Sequence, residues 1–130
     1  MSREEMYMHM AEIASRRSTC NRLQVGTIIT DGEMKNILSL GWNGNYAGGP
    51  NQCDKKDSGG CMDIHSEVNA LVKCPFERNR KIFITDSPCL MCAKLMINSS
   101  IEMVYYRRKY RDSSGLKLLK KAKIKTIQIK

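Results

Sequence analysis

Hydrophobic and polar positions follow different periods along the chain, and the pattern indicates strands at five places. Short apolar or β-branched runs predict strands at residues 24–30, 37–43, 81–87, 103–108 and 125–130. The turn-forming segment DGEMKN joins the first two runs, so they are predicted to form a β-hairpin. The run KIFITDS carries a continuous apolar stretch, which indicates a strand that is covered on both faces.

Helices are predicted before and between these strands, at residues 3–19, 64–73, 89–99 and 114–123. Ser2 can cap the first helix, because Glu5 stands three residues later and can reach back to it. On this helix Met6, Ile13 and Ala14 are expected to form the buried stripe.

The order of these elements predicts an α/β fold. Strands alternate with helices after the hairpin, which implies parallel pairing. Residues 44–60 are rich in Gly, Asn and Asp and are expected to form a loop, and Asp63 is expected to cap the second helix. We therefore predict a single three-layer α/β/α domain over residues 1–130. Its mixed five-stranded sheet has an antiparallel first hairpin, then parallel strands, and is flanked by helices.

Length and composition are those of one soluble globular domain, with 130 residues, 42% of them apolar and 27% charged. No apolar run approaches the ~20 residues that a membrane span needs, and the segment MSREEMYMHM lacks the apolar region of a signal peptide. We therefore expect a cytoplasmic protein, or one in the host cytoplasm if a virus encodes it, with no membrane partner. In a reducing compartment the six cysteines favour metal ligation or catalysis over disulfides.

The net charge of +9 is concentrated near the end of the chain. Residues 1–102 contain 12 Lys/Arg and 12 Asp/Glu, whereas residues 103–130 contain 10 Lys/Arg and the single acid Asp112. This excess is either a solvated helix face or a field that attracts phosphate-bearing ligands. A nucleic-acid partner is disfavoured because few aromatic residues stand among the basic ones.

Two short segments carry the candidate chemistry. His65 and Glu67 stand at a predicted helix start, and SPCLMC stands where a buried strand runs into the next helix. Cys89 and Cys92 are three residues apart, so their thiols face the same side of a first helical turn. Two parallel neighbouring strands present their helix starts at the same sheet edge, so His65 is expected to meet both cysteines there.

One histidine and two cysteines supply three ligands, and three ligands plus a water form the catalytic rather than the structural zinc arrangement. Zn²⁺ lowers the pKa of its bound water to roughly 7. Glu67 is expected to act as a proton shuttle and not as a ligand, taking a proton from that water and delivering it to a ring nitrogen and then to a leaving group.

An HxE motif followed, 22 residues after the glutamate, by PCxxC is the signature of the zinc nucleobase deaminases. The chain resembles the cytidine deaminase superfamily and, within it, the dCMP deaminases, in the segments RSTCNRLQVGTII, GWNGNYAGG, IHSEVNAL, TDSPCLMCAKLM and SSIEMVYY. The resemblance implies the cytidine deaminase-like fold and zinc-dependent hydrolytic deamination of dCMP to dUMP and ammonia. It also implies a supply of dUMP for dTMP synthesis.

The alternative is a deaminase that acts on adenosine or cytosine in tRNA or another nucleic acid. Asn69, Cys20 and the long loop before His65 favour the dCMP type. A catalytically silent zinc module that binds nucleotides or a partner would have no use for Glu67, which disfavours that third reading.

The resemblance also suggests substrate-binding residues. Asn43 corresponds to an asparagine that contacts the sugar, although a role in the turn between glycines is an alternative. The other residues that we expect around the substrate are Val25 and Thr27 at the base pocket, Ser66, Ser87 and Pro88 at the motif segments, and Arg22 and Tyr110 near the phosphate. Tyr105 or Tyr106 could take the place of Tyr110. Relatives usually carry alanine at the position of Ser66, and we expect no change of chemistry from the serine.

Three further cysteines, Cys20, Cys53 and Cys61, flank the same predicted sheet edge. The resemblance implies a second, structural zinc there, with an aspartate or a water as the fourth ligand. Unliganded buried thiols and a disulfide remain as alternatives.

Members of the resembled family are commonly hexamers that dCTP activates and dTTP inhibits. The residues expected to hold such an effector are Gly44, Asn45, Gly48, Gly49 and Asn69. The alternative is a loop that binds no effector.

Overall fold

A mixed sheet of five strands separates two layers of helices in the computed structural model, which describes residues 1–50 and 63–130. The strands are β1 (Gly26–Thr30), β2 (Ile37–Trp42), β3 (Arg80–Asp86), β4 (Ile101–Arg108) and β5 (Lys125–Gln128). The helices are α1 (Arg3–Ser15), α2 (Ser66–Val72), α3 (Leu90–Asn98) and α4 (Ser114–Lys121). The predicted three-layer α/β/α fold is confirmed. No helix of the described ranges is both long enough and apolar enough to cross a bilayer.

The sheet has the strand order β2-β1-β3-β4-β5. β1 pairs antiparallel with both β2 and β3, whereas β3, β4 and β5 are parallel. The predicted hairpin and the parallel second half are therefore correct. The expectation that the strands before α2 and α3 are direct neighbours is wrong, because β1 lies between them. β2 and β3 nevertheless run in the same direction, since each is antiparallel to β1, and α2 and α3 therefore start at the same sheet edge.

Each face of the sheet has its own hydrophobic core, because side chains alternate between the faces of a strand. Helix α1 covers one face, where Phe83 stacks on Tyr105 with ring centroids 4.5 Å apart and also contacts Tyr7. The helices α2, α3 and α4 cover the other face, whose core includes Ile82 and Val104. The sheet is thus buried on both sides, as the apolar run of β3 predicts.

Helix α1 starts as predicted and ends earlier. The Glu5 backbone N–H donates to Ser2 Oγ at 3.0 Å, and the Ser2 hydroxyl donates to the Glu5 carboxylate at 3.2 Å. The expected buried stripe is only partly correct, because Ile13 is 64% exposed and Met6 is 39% exposed. The residues that α1 buries are Tyr7, Met8, Ala11, Ala14 and Ser15. Their spacing of three and four residues keeps them on one helical face.

Helix α2 does not use Asp63 as its cap. The N-cap position is His65, whose backbone is extended and whose side chain makes no capping hydrogen bond. Asp63 stands two residues before this position, too early for its carboxylate to take the capping place. The helix start is therefore set by backbone geometry, which leaves the His65 imidazole available for another role.

Gly26, the first residue of β1, marks a close approach between α1 and the sheet. A Cβ atom there would lie 1.9 Å from the Ala11 carbonyl oxygen and 2.7 Å from the Ser15 backbone nitrogen. No side chain can move away to relieve these contacts, so α1 would have to shift on the sheet.

We predict that Gly26→Ala lowers the free energy of unfolding by about 2 kcal/mol or more, the cost of overpacking at a rigid contact. Urea denaturation measures this change. The matched control is Gly44→Ala, since a Cβ at Gly44 meets only Thr19 Oγ1, at an ordinary contact distance of 3.7 Å. Equal stabilities of the two variants would contradict the prediction.

Candidate active site and metal centre

The motif residues meet where α2 and α3 begin. His65 is the N-cap of α2, and Cys89 is the N-cap of α3 with Cys92 in the first turn of that helix. Both helix starts face the same edge of the sheet because β2 and β3 run in the same direction. The sequence prediction that the histidine lies close to both cysteines is confirmed by their distances.

The three side chains form a compact donor cluster. His65 Nδ1 lies 3.3 Å from Cys92 Sγ and 3.5 Å from Cys89 Sγ, and the three donor atoms all lie within 4.8 Å of one another. Donors bound tetrahedrally to one Zn²⁺, at about 2.1 Å for nitrogen and 2.3 Å for sulfur, lie about 3.6–3.8 Å apart. The cluster therefore fits a zinc ion with little adjustment, and no other such cluster occurs in the described part of the chain.

The electrostatics of the cluster favour a thiolate. The pKa of Cys89 is lowered to about 4, mainly by the hydrogen bond from the Cys92 thiol and also by the one from His65. The pKa of Cys92 is raised because its proton is shared with Cys89 and because it is buried. The pKa of His65 is raised, first by its hydrogen bond to Cys89. One thiol thus ionises readily, and a metal cation would displace the remaining proton.

Glu67 lies in the first turn of α2 and is 4% exposed. Burial raises the pKa of its carboxyl group, while the neighbouring His65 and the Ser66 hydroxyl oppose that rise. Ser66 Oγ donates to Glu67 Oε1 at 3.0 Å. Among the described residues the carboxylate is not one of the clustered metal donors, and the proton-shuttle role of Glu67 stays a prediction.

A cavity of about 280 Å³ opens beside the donor cluster. It is lined by Cys20, Arg22, Leu23, Val25, Asn43, Asp63, His65, Ser66, Glu67, Asp86, Ser87, Cys89 and Tyr110. Most of the residues that the sequence suggests for substrate binding are therefore brought together here. Thr27 and Pro88 are the exceptions, and neither borders the cavity.

Asn43 lines the cavity and also supports the wall next to it. Its Oδ1 accepts the Val25 backbone N–H at 2.8 Å, and its Nδ2 donates to the Leu23 carbonyl at 2.7 Å. The amide therefore fixes the segment that leads into β1. Leu23, which sequence reasoning missed, lines the cavity because of this anchoring. A lone leucine in a polar connection carries no signal that would have identified it.

Asp86 is a second residue that sequence reasoning missed. It ends β3, is 7% exposed, and its Oδ1 accepts from Arg108 Nε at 3.1 Å. Arg108 also donates to Glu12 on α1 at 2.6 Å. Burial raises the pKa of Asp86 although Arg108 opposes the rise. A charged residue at the carboxyl end of a buried strand was the available signal.

Asp63 resembles Asp86 in one respect, since each has a buried carboxylate oxygen, Oδ2, without a hydrogen-bond partner among residues 1–50 and 63–130. Both side chains border the cavity. Within the part of the chain that the structure describes, each of these two carboxylates thus keeps one acceptor that no protein group satisfies.

Tyr110 reaches the cavity because Ser87 holds its backbone. The Tyr110 N–H donates to Ser87 Oγ at 2.7 Å, which ties the segment after β4 to the cysteine motif. The other two candidate tyrosines, Tyr105 and Tyr106, are buried on β4 and do not line the cavity. Gly115 at the start of α4 packs on the same segment, since a Cβ there would lie 2.1 Å from the Pro88 carbonyl oxygen.

The residues suggested for an effector lie outside the cavity lining. Gly44 forms a two-way backbone bridge with Ile64, and Asn69 Nδ2 donates to the Trp42 carbonyl at 2.8 Å. Asn45 accepts from the Tyr46 backbone, and Gly48 has a positive φ of 87°. Gly49 packs beside the Tyr46 ring. The residues Gly44, Asn45, Gly48 and Gly49 lie in the segment that follows β2, and Asn69 lies on α2.

The suggested second zinc site is only partly described. Cys20 is buried and lines the cavity. Cys53 and Cys61 lie outside the described residues.

Residues 1–108 match the family described as the cytidine and deoxycytidylate deaminase zinc-binding region. ComE operon protein 2 of Bacillus subtilis is 34% identical over 125 residues, which cover 85% of this chain and 62% of that protein. The deoxycytidylate deaminase of Saccharomyces cerevisiae is 30% identical over 135 residues, which cover 93% of this chain and 43% of the yeast protein. The chain thus spans about half the length of these two relatives.

Among the similar solved structures is one that covers nearly the whole of both chains. It is the dCMP deaminase of the cyanophage S-TIM5 in complex with dCMP and dUMP, with a TM-score of 0.88 and 33% sequence identity. The match covers 97% of this chain and 96% of the phage chain.

We predict that Cys92→Ala binds one zinc fewer per chain than the unsubstituted protein, because two donors hold Zn²⁺ far more weakly than three. Elemental analysis after gel filtration measures the ratio. Cys74→Ala is the matched control, since Cys74 is a free thiol outside the cluster. An unchanged zinc content in Cys92→Ala would show that the metal is bound elsewhere.

Proposed function

The chain belongs to the cytidine and deoxycytidylate deaminase family, and we propose on this premise that it hydrolyses dCMP to dUMP and ammonia. The observation that carries the proposal is the His65–Cys89–Cys92 cluster with buried Glu67 beside it, at one wall of a cavity. The similarity to the phage dCMP deaminase over nearly both whole chains supports dCMP as the substrate.

The metal and the carboxylate would divide the work. When bound by His65, Cys89 and Cys92, Zn²⁺ would act as a Lewis acid that makes water nucleophilic at neutral pH. Glu67 accepts the proton that the attacking water loses and passes it to N3 of the pyrimidine ring. A second transfer through the same carboxylate protonates the amino group. The C4–N bond then breaks, the C4–O bond remains, and dCMP plus water become dUMP plus ammonia.

The cavity wall suggests how the nucleotide is oriented. Leu23 and Val25 offer apolar surface to the base, and the Asn43 amide, which also lines the cavity, holds the backbone of both residues. Arg22 is exposed at the rim and suits the 5′-phosphate, with Tyr110 on the opposite segment. The exposed basic residues of the last strand and helix add a field that attracts a phosphate-bearing ligand.

Several finer properties belong to the same proposal. The dUMP formed would be used for dTMP synthesis in the cytoplasm, or in a host cytoplasm.

The enzyme would assemble as a hexamer. Light scattering tests the assembly state, and a monomer in solution would contradict it. A second zinc would be held through Cys20, Cys53 and Cys61, supported by Asp63, which borders the same cavity as Cys20. A total of one zinc per chain would contradict that site.

We predict that the protein turns over dCMP faster than CMP, deoxycytidine or a tRNA, because a 5′-phosphate and a small base both match the cavity and its rim. The loss of ultraviolet absorbance and the release of ammonia measure turnover. Activity on tRNA without activity on dCMP would favour the nucleic-acid deaminase instead.

In the same assay Glu67→Gln is expected to lose activity by about 10²- to 10⁴-fold, the range of a general acid–base contribution. The amide keeps the shape of the carboxylate but cannot accept the proton. Zinc content should stay unchanged, since Glu67 is not among the clustered donors. Full activity of Glu67→Gln would contradict the shuttle.

We also predict regulation by nucleotides that bind the loop of Gly44, Asn45, Gly48 and Gly49 together with Asn69. Its glycine N–H groups can hold phosphate oxygens, and allostery requires two states with different nucleotide contacts. The dCMP saturation curve is expected to be sigmoidal, to become hyperbolic with dCTP, and to shift to higher substrate concentration with dTTP. Identical hyperbolic curves under all three conditions would exclude this regulation.

A further inference from the structure

Two buried hydroxyl groups lead from the first strand to Glu67. Thr27 on β1 and Ser66 at the start of α2 are both fully buried, and their hydroxyl oxygens lie 2.7 Å apart. Ser66 Oγ in turn lies 3.0 Å from Glu67 Oε1. The three side chains thus form a continuous hydrogen-bonded chain in the interior of the protein.

The direction of these hydrogen bonds follows from their chemistry. An ionised carboxylate only accepts, so the single Ser66 proton is donated to Glu67. Ser66 Oγ can then only accept from Thr27, whose hydroxyl must be the donor of that pair. Each hydroxyl therefore has a defined orientation, and neither can rotate without leaving a buried polar group unsatisfied.

We infer that Thr27 and Ser66 are positioning residues, which orient the Glu67 carboxylate through a hydroxyl relay. Glu67 borders the cavity, and with Oε1 held by Ser66 its carboxylate cannot turn freely about its last bond. Thr27 acts at one remove, because it fixes the Ser66 hydroxyl that touches Glu67. The Thr27 side chain itself does not line the cavity, so it acts through Ser66 and not on the substrate.

The relay is separate from the support of the other cavity walls. Asn43 anchors the segment before β1, and Ser87 anchors Tyr110. The side-chain hydrogen bonds of Thr27 and Ser66 run instead to each other and to the Glu67 carboxylate. This inference rests on the proposed function, since it assumes that Glu67 moves the proton.

The test compares Thr27→Val, which removes the hydroxyl and keeps the shape, with Thr27→Ser, which keeps the hydroxyl. For Thr27→Val and Ser66→Ala the kcat for dCMP is expected to fall about fivefold, the effect of one net hydrogen bond, with KM changed less than twofold. Thr27→Ser should recover most of the kcat. The double variant should be no slower than Ser66→Ala alone, because Thr27 acts only through Ser66.

Thr30→Val is the matched control. Thr30 lies on the same strand and is equally buried, and its hydroxyl donates to the Asp31 carbonyl away from the site. It should lower stability without lowering kcat. Unchanged kcat in Thr27→Val and Ser66→Ala, or multiplied losses in the double variant, would overturn the relay.

A second readout does not depend on activity. Urea denaturation of Thr27→Val, Ser66→Ala and the double variant gives the coupling between the two hydroxyls, and additive midpoint shifts would overturn their contact. If the unsubstituted protein deaminates another substrate but not dCMP, the proposal of dCMP as the substrate is wrong. The same variants then test the relay in the reaction with that other substrate. If no substrate is turned over, the denaturation cycle alone decides.

Discussion

The site depends on one feature of the sheet, the antiparallel strand β1 between β2 and β3. Because β1 is antiparallel to both neighbours, β2 and β3 run in the same direction and end at the same edge of the sheet. A histidine at one helix start and two cysteines at the other are thereby brought within 3.5 Å. The same strand supplies Thr27, so β1 both sets the spacing of the two helices and contacts the carboxylate network between them.

The interior around the site is organised by polar groups that bind one another before any ligand arrives. The Asn43 amide hydrogen-bonds to backbone groups of the segment before β1, and the Ser87 hydroxyl accepts the Tyr110 backbone N–H. Such internal bonds keep cavity walls in place and reduce the ordering that binding would require. Asp63 and Asp86 border this prepared space, and each keeps one buried carboxylate oxygen that no described residue binds. A charge network through Arg108 links Asp86 to Glu12, so α1 on the opposite face of the sheet also contributes to the wall.

Local signals made much of this predictable from the sequence. The Ser2 cap needs only Glu5 three residues away, and the HxE and PCxxC spacings place three donors on two helix starts. Strand order is a property of the whole chain, and the insertion of β1 between β2 and β3 has no local marker. The prediction that Ile13 is buried is wrong because packing against the sheet, and not apolar character alone, determines which face of α1 is buried. The contact between Thr27 and Ser66 spans 39 positions and joins two residues that look unremarkable in isolation.

The paired hydroxyls also constrain how this sequence can change over time. If Thr27 alone becomes apolar, the Ser66 hydroxyl keeps its hydrogen bond to Glu67, and no buried donor is stranded. If Ser66 alone becomes apolar, the Thr27 hydroxyl and Glu67 Oε1 both lose their partner, and a buried polar group left unsatisfied costs about 1–3 kcal/mol. The two positions are therefore expected to change in a preferred order among related chains. A hydroxyl at position 27 beside an apolar residue at position 66 should be the rare combination, because it leaves the most buried groups without a partner.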